Sequence, residues 1–255
     1  MLLAGSALRG YAIEASDGRI GTVTDLLFDD TTWKIRWVVV DTGTWLTTRK
    51  VLLHPSAVER LNYERQELSV VLSKHQIEAS PSILQDQPVS AQMERNLYDY
   101  YGWDPLWGGS YFGTGGIASP LSPPPYFGSS ALREPEDLGL LEDDGDPHLR
   151  SLAAVTGYHI LATDGEIGHV ENVLIDDATW GVRYLIVDTS NWWLGKHVLI
   201  SPYAVGRISY VDRQITVDIG RDKVKSSPPW DAVEMIDTYY EKRLHSHYGW
   251  QGYGW

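Results

Sequence analysis

The chain has no cysteine among its 255 residues. That excludes a disulfide scaffold, thiol catalysis and any cysteine-ligated metal. It also lacks a long hydrophobic run. The longest strongly apolar stretches, Trp37–Val40 and Tyr184–Val187, are strand-sized, far from the roughly 18 residues a membrane-crossing helix needs. Membrane insertion is therefore not expected. Met1-Leu2-Leu3-Ala4 is too short for a secretory leader and has no basic segment, so a cytoplasmic location is expected. Basic charge is scarce: 21 Lys and Arg face 34 Asp and Glu, for a net −13. The deficit is −3 over residues 1–103 (10 basic, 13 acidic), −6 over 104–150 (2 and 8) and −4 over 151–255 (9 and 13). With no basic stripe, nucleic acid is not an expected partner and anionic lipid surfaces are disfavoured. No Gly-x-Ser-x-Gly, phosphate-cradling Gly-x-x-x-x-Gly-Lys or Gly-x-Gly-x-x-Gly occurs, so no catalytic residue and no cofactor is assigned.

What the chain has is a duplication. Tyr11 to Trp103 aligns with Tyr158 to Trp250 at a constant offset of 147 residues without a gap, and 15 of the first 30 aligned positions are identical. The matches include Asp17-Gly18/Asp164-Gly165, Ile20-Gly21/Ile167-Gly168, Asp29-Asp30/Asp176-Asp177 and Tyr101-Gly102-Trp103/Tyr248-Gly249-Trp250. A unit of this length is one small domain rather than a solenoid repeat. The expected organisation is repeat 1 with its helix over 1–103, a linker over 104–150 that is Gly/Pro-rich and then acidic, and repeat 2 with its helix over 151–255.

Each repeat reads as six short strands, at 11–15, 20–28, 34–41, 50–53, 58–62 and 68–72 in the first, and at 158–162, 167–175, 181–188, 197–200, 206–210 and 214–219 in the second. Asp-Gly marks the first hairpin by supplying positive φ. The apolar pattern changes parity after Gly168, which predicts a bulge. A helix follows each set: Ser90–Tyr101, capped by Ser90 with Met93, Leu97 and Tyr101 on one face, and Trp230–His247 after Pro228-Pro229, with Val233, Ile236, Tyr240 and Leu244 on one face. Gly102 and Gly249 stand where a helix-ending glycine belongs. The fold class expected is mainly β, as two small antiparallel barrels, each followed by an α-helix and related by internal duplication.

Asp164-Gly165-Glu166-Ile167-Gly168-His169-Val170, then Leu174-Ile175-Asp176-Asp177, the 183–188 strand and Val198-Leu199-Ile200-Ser201-Pro202, resemble the PRC-barrel domain. Asp17-Gly18-Arg19-Ile20-Gly21-Thr22-Val23 with Leu27-Phe28-Asp29-Asp30 and Val51-Leu52-Leu53-His54-Pro55 repeat the pattern. The resemblance covers roughly 8–82 and 155–229. That domain is similar to the cytoplasmic barrel of the photosynthetic reaction centre H subunit and to the C-terminal half of the ribosome-maturation factor. It implies a binding or scaffolding barrel rather than a defined reaction. The chain lacks the membrane-spanning helix of the former relative, and the N-terminal partner barrel and basic character of the latter.

The candidate structural motif is Asp17, Gly18, Ile20, Gly21, Asp29, Asp30, Asp164, Gly165, Ile167, Gly168, Asp176 and Asp177. The Asp-Asp pairs have two readings, as hard-cation ligands or as turn formers that bond their own backbone; the second is preferred and no metal is assigned. His245-x-His247 and the His159/His169 pair are likewise read without a metal. Trp103, Trp107, Trp250 and Trp255 are candidate interface residues because aromatics bury large area at low entropic cost, with packing on the protein's own barrels preferred. The expected function is a non-enzymatic protein-interaction scaffold whose copies pair as an intramolecular pseudo-dimer or a homodimer, with an unidentified protein partner. Two alternatives are a small-ligand or metal-binding receptor or enzyme with a pocket between barrels lined by Trp33, Trp45, Trp180, Trp192 and Trp193, and, by family analogy alone, a soluble accessory of photosynthetic electron transport.

Overall fold

The computed structural model describes residues 1–43, 46, 50–80, 91–103, 146, 148–190, 197–228, 230 and 236–253; of residues 91–93 and 95 only the backbone is described. Repeat 1 contains β1 (Leu2–Ala4), β2 (Ala12–Ala15), β3 (Gly18–Asp29), β4 (Ile35–Asp41), β5 (Lys50–Leu53), β6 (Val58–Asn62), β7 (Glu67–Val70), the short α1 (Lys74–Glu78) and α2 (Ala91–Tyr101). Repeat 2 contains β8 (Leu149–Ser151), the short α3 (Leu152–Val155), β9 (His159–Ala162), β10 (Gly165–Asp176), β11 (Val182–Asp188), β12 (His197–Ile200), β13 (Val205–Ser209), β14 (Gln214–Val217), the short α4 (Arg221–Lys225) and α5 (Thr238–Tyr248). The chain is mainly β, with helices after the strands, as expected.

Each sheet has seven strands, not six. The first runs β5-β4-β3-β2-β7-β6 and the second β12-β11-β10-β9-β14-β13. The seventh strand comes from the other repeat: β1 pairs with β10 and β8 pairs with β3, both antiparallel. The duplication thus reaches back to Leu2/Leu149, nine residues before Tyr11/Tyr158, and Leu149–Ser151, at the expected boundary between the linker and repeat 2, is a strand of sheet 1. The sheets are also mixed rather than antiparallel throughout, because β2–β7 and β9–β14 are parallel. The cause is the corner between β5 and β6. A three-residue 3-10 turn, Pro55–Ala57, bends the chain without reversing it, so the β6–β7 hairpin returns in the same sense as β2. Among the described residues no ladder joins β5 to β6, so the sheets are curled but not closed by hydrogen bonds.

The register shifts between Ile13 and Glu14 opposite Gly21 and Arg19, and between Glu166 and Gly168 opposite Leu161 and Ile160. Ile20 and Ile167 are therefore the bulged residues, next to the parity change that the sequence shows. In the Asp-Gly hairpins only the glycine carries positive φ, 124° at Gly18 and 141° at Gly165. Asp17 and Asp164 instead accept the backbone N–H of Lys74 at 2.7 Å and of Arg221 at 2.8 Å, which ties α1 and α4 to the sheets. Gly168 is required by contact: a Cβ there would lie 1.9 Å from the Asp188 carbonyl oxygen, at φ +133°, and one at Gly21 would lie 2.1 Å from that of Asp41. Gly168→Ala is expected to cost about 3 kcal/mol or more, from overpacking against backbone plus left-side strain. Urea denaturation measures it, and a loss under about 1 kcal/mol contradicts the close approach.

The second helix starts eight residues later than expected. Asp237 is its N-cap, its carboxylate accepting the Tyr240 N–H at 2.7 Å, while Trp230 forms an isolated bridge to His197. Ser90, the expected cap of α2, and Val233 lie outside the described residues. Both glycines end their helices in the left-handed region, Gly102 at φ 67° and Gly249 at φ 79°. Leu97 and Leu244 are the buried anchors of the two helices. The buried apolar side chains of both sheets, from Leu8 and Ile13 to Val217 and Val224, form one contiguous core. A second cluster, Trp37, Val39, Leu52 and Leu97, lies between sheet 1 and α2.

Candidate functional site

The seam between the repeats is built from the β3–β4 and β10–β11 turns. Asp29 accepts the N–H groups of Thr31 and Thr32 at 2.9 and 2.8 Å, and Asp176 accepts that of Ala178 at 3.0 Å. This is the way an aspartate bonds its own turn. Each turn then brings a tryptophan to positive φ, Trp33 at 56° and Trp180 at 54°, which is costly for a bulky residue unless its surroundings impose it. Its own turn and the other repeat together hold it there: the Trp33 and Trp180 N–H groups donate to the Asp29 and Asp176 carbonyls, both at 2.8 Å. The Val182 N–H donates to the Trp33 carbonyl at 2.7 Å and the Ile35 N–H donates to the Trp180 carbonyl at 2.8 Å. Residues 35 and 182, like 33 and 180, are one repeat offset apart, so these two bonds are related by a local two-fold.

The same symmetry continues outward. The Asp30 N–H donates to the His148 carbonyl at 2.9 Å, and the Asp177 N–H to the Met1 carbonyl at 3.0 Å. Their carboxylates hold the exchanged segments from the side. Asp30 receives Arg150 Nε at 2.5 Å and lies 3.0 Å from His148 Nδ1, while Asp177 receives the Met1 amino group at 2.5 Å and also the hydroxyl of Tyr63 in the β6–β7 turn. One step further along the strands, Asp25 accepts the Ser151 hydroxyl at 2.5 Å and the Ala153 N–H at 3.1 Å. Its counterpart Asn172 accepts the Ser6 N–H at 3.1 Å. Within each Asp-Asp pair, then, the first residue shapes its own turn and the second grips the neighbouring repeat.

Behind each turn lies a buried charge cluster that fastens the helix. In repeat 1 the Arg36 guanidinium reaches Asp29 at 3.4 Å, Asp146 at 2.7 Å and Glu94 of α2, and the Trp37 indole N–H also donates to Glu94. Three carboxylates thus surround one arginine. Burial pushes Glu94 up to about 7, against the opposing pull of Arg36 and Trp37. Asp29 is held below its usual range by the hydrogen bonds of Thr31 and Thr32 and by Arg36, which together outweigh its burial. His54 lies against Trp37, Tyr98 and Trp103; burial first and Arg36 second bring it down to about 4. In repeat 2, Arg183 pairs with Asp176 at 2.5 Å and lies 3.8 Å from Glu241 of α5. The Tyr184 hydroxyl donates to Glu241 at 3.0 Å and lies 2.8 Å from His245 Nε2.

A cavity of about 490 Å³ opens on one side of the seam, between the Asp30–Lys34 turn of repeat 1 and Arg183, Tyr203 and Tyr253 of repeat 2. Of the five tryptophans expected to line an inter-barrel pocket, Trp33 lines this one. Trp180 is buried in the core instead, and Trp45, Trp192 and Trp193 lie outside the described residues, as do Trp107 and Trp255. Trp103 stacks on Tyr101 and Trp250 on Tyr248, both at 4.1 Å between ring centroids, so both pack on their own repeats. His245 and His247 turn to different partners, the carbonyls of Gln251 at 2.5 Å and Lys223 at 2.8 Å. His159 and His169 are cross-strand neighbours, but each faces a carboxylate, Glu166 at 2.7 Å and Asp188 at 3.8 Å. Among the described residues no group of three His, Asp or Glu side chains is arranged to hold a metal ion.

The sequence reading missed Arg36/Arg183, Glu94/Glu241 and the exchanged strands. The signal for the first two was present, since both pairs recur at the 147-residue offset. A search of curated proteins finds no match to this chain. The family model for the PRC-barrel domain matches it twice, over residues 2–74 and 150–224, and both matches open on the exchanged segment of their repeat. Those two matches span more than half of the chain, so it belongs to the PRC-barrel domain family, in a tandem form.

Proposed function

We propose that this protein is a non-enzymatic, cytoplasmic interaction scaffold: two barrels locked as an intramolecular pseudo-dimer that presents paired surfaces at a fixed spacing to a protein partner. The observation that supports it is the reciprocal exchange of β1 and β8. A fixed arrangement of two related modules is what a bivalent platform requires, because rigid spacing raises the effective concentration at a second contact. The seam's carboxylates are paired with one another's repeats, and the Arg36 and Arg183 clusters fasten helices, which are structural uses of those charges. No helix among the described residues is long and apolar enough to cross a membrane, and the net −13 charge weighs against nucleic acid as the partner.

The lock is tested by placing a protease site within 110–130 and cutting the folded full-length protein. The halves are expected to co-elute on sizing and to unfold in one transition. Halves that separate, each as stable as the whole, overturn the pseudo-dimer. The scaffold role is tested by affinity purification from the native cell with wild type and with the Asp30→Ala/Asp177→Ala variant. A protein recovered by the first and lost from the second is expected. Recovery that ignores the seam, or turnover of a small substrate by the purified protein, overturns the reading.

A further inference from the structure

The cavity beside the seam has a chemistry of its own, and the two repeats differ there. Residue 203 is tyrosine in repeat 2, where repeat 1 has Ser56. Tyr253 carries the Arg183 guanidinium over its ring at 4.4 Å and stacks on Tyr203 at 5.3 Å and 20°. That leaves Tyr203, 52 % exposed, as the aromatic surface open to a guest. Across the cavity Trp33, stacked on Phe28 at 5.3 Å, forms the second aromatic wall. Thr31, Thr32 and Thr179 add hydroxyls to the rim; those of Thr31 and Thr179 already bond Asp29 and Asp176, so they offer a guest their acceptor lone pairs. The volume, about 490 Å³, is that of an ordinary small-molecule site.

Charge narrows the guest further. A cation would meet Lys34 and Arg183 in the lining; an anion would meet Asp30. Asp30 is already neutralised by Arg150, and Arg183 by Asp176 and Glu241. Two of the three charged residues in the lining are therefore already paired, so the site favours an uncharged guest. Two aromatic walls with hydroxyls spread between them suit a molecule that has a flat apolar face and many hydroxyls around its edge. We propose that this cavity binds a neutral saccharide, stacked on Tyr203 and hydrogen-bonded by Thr31, Thr32 and Thr179. The proposal goes beyond the scaffold reading and does not depend on it.

Isothermal titration of the full-length protein with maltose, cellobiose and lactose tests it, with glucuronic acid, glucosamine and indole as charged and flat aromatic comparators. At least one neutral disaccharide is expected to bind saturably and more tightly than every comparator. Tyr203→Ser, which installs the residue of repeat 1 at an exposed position, is expected to weaken it about tenfold by removing the stacking face, with a cooperative unfolding transition only slightly lowered by loss of the stack on Tyr253. Thr32→Val, also exposed, is expected to weaken it in the same direction, and Val211→Ser, at a hairpin tip outside the lining, leaves it unchanged. Saturable binding of none of the three sugars, tighter binding of a comparator, or an affinity indifferent to both Tyr203→Ser and Thr32→Val overturns the assignment.

Discussion

Arg36→Met lowers the unfolding free energy by about 3–5 kcal/mol, the usual scale for stripping a buried cluster of its counter-charge. The substitution keeps most of the aliphatic stem and removes only the guanidinium. It leaves Glu94, 3 % exposed, Asp29, 7 % exposed, and Asp146 facing one another without a cation. The damage is mechanical as well as electrostatic. Glu94 is the buried polar link from α2 to sheet 1, and Asp146 is the link from the segment that leads into β8. Loss of Arg36 therefore loosens a helix and the approach to an exchanged strand together. Arg36→Lys is expected to recover only part of the loss. One ammonium cannot replace a fork that sends Nη1 to Asp29 and Asp146 and Nη2 to Glu94. Chemical denaturation provides the measurement, and a cost below about 1 kcal/mol, the range of a surface pair, sinks the claim that this cluster holds repeat 1 together.

The strands of each repeat were legible because the alternation of apolar residues and the turn residues both repeat at one offset, so two weak readings reinforced each other. Val58–Asn62 and Lys50–Leu53 fall where the sequence puts them. The exchanged strands were not legible. Leu2-Leu3-Ala4 and Leu149-Arg150-Ser151 share a single identity, and three residues carry no periodicity. Their pairing is also non-local, fixed by Asp30 and Asp177 some hundred residues away in sequence. The parallel β2–β7 pairing was hidden for a related reason: Pro55–Ala57 reads as a turn, and composition does not say whether a turn reverses the chain or bends it. The start of α5 was misplaced because Val233 and Ile236 continue the helical spacing backwards from Tyr240, whereas the cap is Asp237. As for the site, adjacency already implied that the two side chains of each Asp-Asp pair point apart, but both were expected to form the turn, and only the first does. One serves its own turn and the Arg36 cluster, the other the opposite repeat.

Two buried groups of repeat 1 impose opposite pH dependences on stability, and each conceals the other. Glu94 binds its proton more tightly folded than unfolded, about 7 against an ordinary 4.5. Its contribution is complete below 4.5 and is lost as pH rises through about 7. His54 is the reverse, about 4 folded against 6.5; its neutral form contributes fully above 6.5, and that contribution is lost as pH falls through about 4. Between 4.5 and 6.5 the slopes have opposite signs and similar size, so the wild type is expected to be nearly flat there with respect to these two groups. Asp29, held below 3.8, acts at lower pH and leaves this window alone. Substitution separates the pair. In Glu94→Gln, which keeps an acceptor for Arg36 and Trp37, stability rises by about 2–3 kcal/mol from pH 4 to 6.5. In His54→Gln it falls by a similar amount from pH 4.5 to 7, whatever the packing loss at any single pH. Urea denaturation across this range reads both slopes, and the double variant loses both, keeping only the rise with pH that His245 contributes because burial lowers its pKa as well. Slopes of the same sign in the two single variants would show that Glu94 is ionised in the folded protein throughout. Arg36 would then dominate its carboxylate despite the burial, and the Arg36 ion pair would hold α2 at every pH in this window.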